Sequence, residues 1–163
     1  METIIRHRDE GQLTWFLNSL VATKATAAET GGRYALSEHL LTADSDPPPH
    51  VHLDEDEAFY VLDGEVELEV DGAVAHATAG TFALAPSGRP HAFRVLTPTA
   101  RVLVITSSAA GRTSRGDATE DFFRAAGTPA TAPVLPAAEA PDPVRLAALA
   151  AAHGIEILPP PAP

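Results

Sequence analysis

The sequence predicts an all-β fold that ends in a short helical tail. Between residues 31 and 107, short segments rich in Val, Leu, Phe and Thr alternate with turn signals such as Asp63-Gly64 and Asp71-Gly72. Many short strands separated by close turns are typical of a β-sandwich or barrel. After Ser107 the composition shifts towards Ala and Pro, and two helix-like segments follow. This shift predicts the tail.

The length and composition favour one domain with a packed core. The chain has 163 residues, of which 45% are hydrophobic, and chains of this size bury most of their apolar surface. Within it we expect an N-terminal arm and first strand at residues 1–30. A barrel at residues 31–107 and a tail at residues 108–163 that packs on the barrel complete the expected organisation.

The charge and the cysteine count exclude several classes of function. The net charge of −11 argues against sequence-independent binding to nucleic acid or to anionic membranes, because both need basic patches. The absence of cysteine excludes disulfides and thiolate ligands. Residues 1–11 lack the apolar core of a secretion signal, and no apolar run is long enough to span a bilayer. We therefore expect a cytoplasmic protein without nucleic-acid or membrane partners.

The first third of the chain leads up to a pair of histidines. Residues 13–22 are apolar, and their pattern fits either a strand or a short helix. A turn at residues 29–32 precedes an expected strand at residues 33–42. Residues 44–49 contain three prolines, which fix φ and predict a stiff lead-in to His50.

The middle of the chain predicts a series of strands. Segments 58–62 and 65–70 are expected to form a hairpin, because the Asp-Gly pair between them is a strong turn signal. The second segment alternates apolar and acidic residues, which is the pattern of a half-buried antiparallel strand. Further strands are expected at residues 74–78, 81–85, 92–96 and 101–106.

The tail predicts two helices and an edge strand. The first helix is expected between Thr119 as its N-cap and Gly127 as its stop. Asp142 is expected to cap the second helix, which ends before Gly154. An edge strand is expected at residues 155–158.

Three histidines and one glutamate predict a metal site. His50 and His52 are two residues apart, which places both imidazoles on one face of a strand. Glu57 lies in an apolar alternating run, where a buried carboxylate needs compensation by a cation or by hydrogen bonds. Chain breakers at residues 86–88 allow His91 to approach from another strand. Imidazole and carboxylate ligands together suit a divalent transition metal.

The acidic residues beside this site and the other four histidines are not expected to bind the metal. The acidic run at residues 54–56 is expected to be a solvated loop that adds negative potential near the site without binding the metal. His7, His39, His76 and His153 are expected to be surface or structural residues.

The first histidine cluster resembles the first motif of the cupins, which reads G-x5-H-x-H-x3,4-E-x6-G. His50, His52, Glu57 and Gly64 all stand at the required spacing. Asp44 stands where the motif opens with glycine. This departure removes no metal ligand but changes a turn residue.

The segment before His91 resembles the second cupin motif, which reads G-x5-P-x-G-x2-H-x3-N. Gly80, Pro86, Gly88 and His91 match it, and Val95 replaces the closing asparagine. The two motifs together are far more specific than either short pattern alone. The resemblance implies a cupin jelly-roll barrel of antiparallel strands over most of residues 30–107.

The resemblance also implies a cofactor and a reaction class. His50, His52, Glu57 and His91 would hold one divalent transition metal, which could be Fe, Mn, Ni, Co, Cu or Zn. Similarity to quercetin 2,3-dioxygenase-like cupins implies an oxidoreductase that acts on an aromatic or enolisable hydroxy-carbonyl small molecule, such as a flavonol. Glu57 would then be both a ligand and the general base.

Two other functions remain open at this point. The metal could act without redox chemistry in a cyclase, isomerase or lyase of secondary metabolism, or the cupin could bind a small molecule without turnover. Phe59 and Phe93 share the parity of Glu57 and His91, and these two rings together with Phe82 are expected to line the substrate pocket. The edge strands of a β-sheet expose unpaired backbone groups that other segments must cover. The N-terminal arm and the tail could cover them, either within one chain or across a dimer. We expect a homodimer.

Overall fold

The structure, a computed structural model, describes residues 2–109 and 117–159, and it confirms the all-β prediction. Within these residues, twelve strands form two antiparallel sheets that share one core, and two helices lie in the tail. The predicted tail residues 110–116 and 160–163 lie outside the described part of the chain.

The strands are distributed over a larger and a smaller sheet. The larger sheet has the spatial order β11 (Thr128–Pro129), β1 (Gln12–Phe16), β2 (Ser19–Ala25), β3 (Ala35–Thr42), β10 (Thr99–Ser108), β5 (Glu55–Asp63) and β8 (Phe82–Ala85). The smaller sheet has the order β12 (Ile155–Ile157), β4 (His50–His52), β9 (His91–Val95), β6 (Glu65–Val70) and β7 (Ala73–Thr78). The tail strands β11 and β12 thus cover one edge of each sheet within the same chain.

The main core lies where the two sheets face each other. Val61 of β5 and Val66 of β6 are 0% and 1% exposed, and Leu68 and Val102 are also buried against them. Each such side chain contributes about 1.5–3 kcal/mol through removal from water. The predicted alternation of β6 is confirmed, because its apolar side chains face this core.

The apolar segment 13–22 contains a hairpin. β1 and β2 pair with Phe16 opposite Ser19, which leaves Leu17 and Asn18 as a two-residue loop. Both loop residues have positive φ, 45° and 59°, as tight hairpin turns of this kind require. The strand alternative for this segment is therefore correct. The turn itself was missed, because leucine is not a typical residue for it.

The predicted hairpin of segments 58–62 and 65–70 is wrong. β5 pairs with β10 and β8 in the larger sheet, whereas β6 pairs with β7 and β9 in the smaller sheet. Gly64, with φ of 77°, therefore turns the chain from one sheet to the other. The second Asp-Gly pair does form a hairpin turn, between β6 and β7.

The tail helices are α1 (Ala118–Ala126) and α2 (Pro143–Ala152). Gly127 ends α1, and the Asp142 side chain caps α2 as predicted by accepting two backbone N–H bonds. Thr119 is not the N-cap of α1, because it lies one residue inside the helix. Within the described ranges, no helix is both long and apolar enough to cross a membrane.

A second apolar cluster attaches the tail to the barrel. Phe122 of α1 and Leu146 of α2 are buried with Ile155 of β12, and Phe16 of β1 packs against them. The ring centroids of Phe16 and Phe122 lie 5.3 Å apart in an edge-to-face arrangement. Phe122 therefore fixes the first tail helix to the barrel.

Replacement of Gly64 by alanine should destabilise the fold more than the same change at Gly72. Both glycines have nearly the same φ, 77° and 78°, but an added Cβ would lie 2.5 Å from the Thr99 carbonyl oxygen only at Gly64. We expect Gly72→Ala to cost about 1–2 kcal/mol from backbone strain alone. Gly64→Ala should cost about 3 kcal/mol or more. Urea unfolding of both variants measures the difference, and equal costs would contradict the sheet-crossing role.

Candidate metal centre

Three histidines and one glutamate converge at one end of the barrel interior. β4 supplies His50 and His52, β9 supplies His91, and β5 of the opposite sheet supplies Glu57. His50 and His91 are direct register partners across the β4–β9 pair. One ligand atom from each of the four side chains lies within 4.8 Å of all the others. The structure therefore brings together the four residues that the sequence selected.

The distances fit a shared cation. Glu57 Oε2 lies 2.9 Å from His91 Nε2 and 3.4 Å from His52 Nε2. Ligands with bonds of about 2.1 Å to one ion lie roughly 3.0–3.4 Å apart when they are adjacent in octahedral or tetrahedral geometry. His52, Glu57 and His91 are 5% exposed or less, so few water molecules compete for these atoms.

The second ring nitrogen of each histidine is already engaged. Nδ1 of His50 lies 3.0 Å from the Pro48 carbonyl oxygen, and Nδ1 of His91 lies 3.1 Å from the Arg89 carbonyl oxygen. A carbonyl oxygen only accepts, so both Nδ1 atoms donate a proton. This leaves Nε2 of His50 as its ligand atom, whereas Nε2 of His91 lies 2.9 Å from the Glu57 carboxylate and shares a proton with it that a metal would replace. Such outer hydrogen bonds are the usual support of metal-binding imidazoles. The donor set thus fits a divalent metal.

The electrostatics put Glu57 and His50 in their metal-binding forms at neutral pH. Burial raises the pKa of Glu57, but the facing imidazoles of His52 and His91 outweigh it and hold that pKa well below its usual value. Burial also lowers the pKa of His50 to about 4. Glu57 is therefore ionised and His50 neutral, which are the forms that bind metal.

The acidic run at residues 54–56 is not the solvated loop that the sequence suggested. Glu55 is 1% exposed and accepts hydrogen bonds from the backbone N–H groups of Ala118 and Thr119. Asp56 accepts from the Ser87 backbone N–H at 2.8 Å. Strand β5 begins at Glu55, and the Glu55 side chain lies on the same buried face of the strand as Glu57 and Phe59. It therefore points inward, beneath the first turn of α1. A run of three acidic residues is typical of an exposed loop, so the sequence did not predict the burial of Glu55.

An apolar cavity adjoins the candidate metal centre. His50, His52 and Glu57 form part of its wall, together with Phe59 and Phe93 as expected. Phe82 lies outside it and is 61% exposed, so its candidacy is wrong. The reason is register, because Phe82 is opposite Tyr60 on the outward face of β5 and β8.

The tail and β3 supply parts of the cavity wall that sequence reasoning missed. Phe123 of α1 and Ile157 of β12 line it, although the tail has no motif that connects it to the site. His39 of β3 also lines it, and its Nε2 bonds to Ser37 Oγ at 2.8 Å. Burial lowers the pKa of His39 to about 4, so this ring is neutral.

Comparison with known families identifies the barrel. Residues 38–106 match the model of the cupin domain family, and this span contains both histidine motifs. These residues are a cupin domain. The resemblance to quercetin dioxygenase-like cupins is confirmed as well. The chain is 31% identical over 99 residues, 60% of its length, to the quercetin 2,3-dioxygenase of Bacillus subtilis (strain 168). It spans only 29% of that protein's length.

Solved structures support the same fold. KdgF from Halomonas sp. matches 68% of this chain and 96% of its own, with a TM-score of 0.56 and 18% identity. A predicted oxalate decarboxylase from Thermotoga maritima matches 66% and 99%, with a TM-score of 0.57 and 16% identity. The polyketide cyclase RemF from Streptomyces resistomycificus matches 74% and 93%, with a TM-score of 0.50 and 20% identity. At these identities the likeness extends to the fold alone.

Replacement of Glu57 by glutamine should abolish tight metal binding. The change keeps the shape of the side chain and removes the charge that faces His52 and His91. We expect Co²⁺ affinity to fall more than about 100-fold, beyond the loss usual for outer-shell changes. Glu67→Gln, on the exposed face of β6 where Glu67 pairs with Arg94, is the matched control. Calorimetric titration compares them, and unchanged affinity of Glu57→Gln would exclude this centre.

Metal affinity should fall as the pH is lowered. Burial lowers the pKa of His91, but the bond and the charge of Glu57 outweigh it, so the pKa lies above the ordinary 6.5. A proton and a metal ion compete for Nε2 of His91, and affinity should fall about tenfold per pH unit below that pKa. Co²⁺ titrations from about pH 8 to about pH 5 test this. Constant affinity over that range would refute the competition.

Proposed function

We propose that this cupin is a metal-dependent, dioxygenase-type oxidoreductase that acts on an aromatic or enolisable hydroxy-carbonyl small molecule of flavonol-like chemistry. The observation that carries the proposal is the convergence of His50, His52, Glu57 and His91 beside an apolar cavity with aromatic walls. The partial similarity to a quercetin 2,3-dioxygenase supports the reaction class.

The ligands would hold one divalent transition metal, either Fe, Mn, Ni, Co, Cu or Zn. When bound, such an ion supplies Lewis acidity towards a hydroxyl or carbonyl oxygen and, if it is redox-active, electron exchange with dioxygen. Four protein ligands leave one or two positions of an octahedral site open for this chemistry.

The protein's own residues would bind the substrate and move its proton. Phe59 and Phe93 offer ring faces to an aromatic substrate, and their centroids lie 6.5 Å apart. The ionised Oε2 of Glu57 would accept the proton of an acidified enol or phenol. Its low pKa makes it a weak base, which suffices for an acid of comparable strength. The apolar wall excludes water from this transfer.

A non-redox reaction is the second candidate. RemF, a protein of the same fold, is a polyketide cyclase, and an apolar cavity with aromatic walls also suits a folded polyketide. In that case the metal would only polarise a carbonyl group, as an isomerase or lyase would also require. A cupin that binds a small molecule without turnover is the third candidate.

Oxygen uptake decides between these candidates. Metal-free protein is loaded separately with each of the six ions and mixed with quercetin as a flavonol probe in an oxygen electrode. We expect oxygen consumption with at least one redox-active ion and none with Zn²⁺. Turnover of a test substrate with Zn²⁺ in the absence of oxygen would favour the cyclase or isomerase, and binding without any turnover would favour the third candidate.

A pair of phenylalanine variants controls this experiment. Phe93→Ala removes a cavity wall and should raise the KM for the aromatic substrate about tenfold or more. Phe82→Ala removes an exposed ring outside the cavity and should leave KM unchanged.

The homodimer and the cytoplasmic location expected from the sequence remain predictions.

A further inference from the structure

His52 is supported differently from the other two histidines of the centre. The Nδ1 atoms of His50 and His91 each face a backbone carbonyl two residues earlier in the chain. Nδ1 of His52 instead lies 2.9 Å from the hydroxyl of Thr119, which is 67 residues further along the chain, in α1. Thr119 is 1% exposed, so water does not compete for this contact. One ligand of the centre thus depends on a side chain of the tail.

Glu55 fixes the direction of that hydrogen bond. Its Oε2 lies 2.6 Å from the Thr119 hydroxyl, and its oxygens also accept the backbone N–H groups of Ala118 and Thr119 at 2.8 and 3.0 Å. With three donors aimed at it, Glu55 acts as an acceptor, so the single hydroxyl proton of Thr119 points to Glu55. The Thr119 oxygen must then accept from Nδ1–H of His52.

The chain of bonds selects one tautomer. If Nδ1 of His52 carries the proton, Nε2 keeps its lone pair, and this is the atom that lies 3.4 Å from Glu57 Oε2. Without the Thr119 acceptor, the neutral ring is free to place its proton on Nε2, where it blocks metal binding. A ligand held in the correct tautomer and orientation binds more tightly than one that must first reorganise.

We infer that Thr119 and Glu55 are positioning residues that hold His52 in its metal-binding form and thereby couple the placement of the first turn of α1 to metal affinity. The inference rests on the metal centre proposed above. Because coupling between two equilibria is reciprocal, a bound metal should also hold α1 more firmly on the barrel. The simpler alternative is that Glu55 only caps α1 and Thr119 only fills space.

Two substitutions at Thr119 separate these roles. Thr119→Val keeps the shape and loses the hydroxyl, whereas Thr119→Ser keeps the hydroxyl. We expect the Kd for Co²⁺ to rise about 10–100-fold in Thr119→Val and to stay within about threefold of wild type in Thr119→Ser. The visible absorption bands of bound Co²⁺ should change in the valine variant only. Equal affinity and equal spectra in all three proteins would overturn the inference.

Asp142→Ala controls for a loss of stability in the other tail helix, α2, which does not supply the Thr119 contact. It removes the side chain that caps α2 and touches none of the residues of the centre. We expect its Co²⁺ affinity to remain that of wild type. Loss of affinity equal to that of Thr119→Val would assign the effect to tail stability and refute a specific role for the hydroxyl.

The tautomer itself can be measured without metal. Imidazole ¹⁵N chemical shifts of the metal-free wild type should report a proton on Nδ1 of His52, and those of Thr119→Val a mixture of tautomers. A wild-type ring protonated on Nε2 alone would refute the inference even if the valine variant does not fold. If wild type binds no divalent ion at all, the metal centre is wrong and the inference fails with it. If wild type binds Co²⁺ and Thr119→Val binds it equally well, the inference is refuted but the metal centre stands.

Discussion

The interior of this barrel is organised around the carboxylate of Glu57. Only 5% of this residue is exposed, and an isolated buried charge of this kind costs several kcal/mol. The imidazoles of His52 and His91 lie within 3.4 Å and 2.9 Å of it, so its partners come from the opposite sheet. The two sheets must therefore face each other in this one alignment if the charge is to be compensated, and a divalent cation would complete that compensation.

The path of the chain makes this alignment possible. His50, His52 and His91 lie on neighbouring strands of the smaller sheet, and Glu57 lies on the larger one. β4 and β5 are close in sequence but belong to different sheets, so the first motif spans the interior. The second motif then returns the chain beside β4. Cavity and candidate centre are thus two consequences of the same sheet-to-sheet crossings.

Local patterns predicted the parts of this structure that local physics determines. The spacing of His50, His52 and Glu57 and the chain breakers before His91 were enough to select the four converging residues. The alternation of β6 and the cap at Asp142 were equally readable, because each depends on neighbours a few residues away. Which strands pair with each other could not be predicted from local patterns, because it depends on residues far apart in the sequence. The Asp-Gly pair at Gly64 looks like a hairpin turn, and only the whole topology makes it a corner between sheets.

The buried partners of the centre were missed for the same reason. Glu55 stands in an acidic run that resembles a solvated loop, and Thr119 resembles an ordinary helix cap. Their roles arise from the docking of α1 over β4 and β5, about 65 residues away in the sequence. The prediction for Phe82 was wrong for a different reason. Its aromatic side chain suggested a pocket residue, but its position in β8 places that side chain on the solvent-exposed face.

The pairing of β12 with β4 has a consequence for biosynthesis. Ile155 and Ile157 lie opposite His52 and His50 in the register of these strands, so the histidine strand acquires its outer neighbour only after residues 155–157 have left the ribosome. Until then, the newly made barrel has an open backbone edge beside its most polar interior residues, and such edges invite pairing with other chains. Early termination of translation within the tail would leave that edge permanently bare.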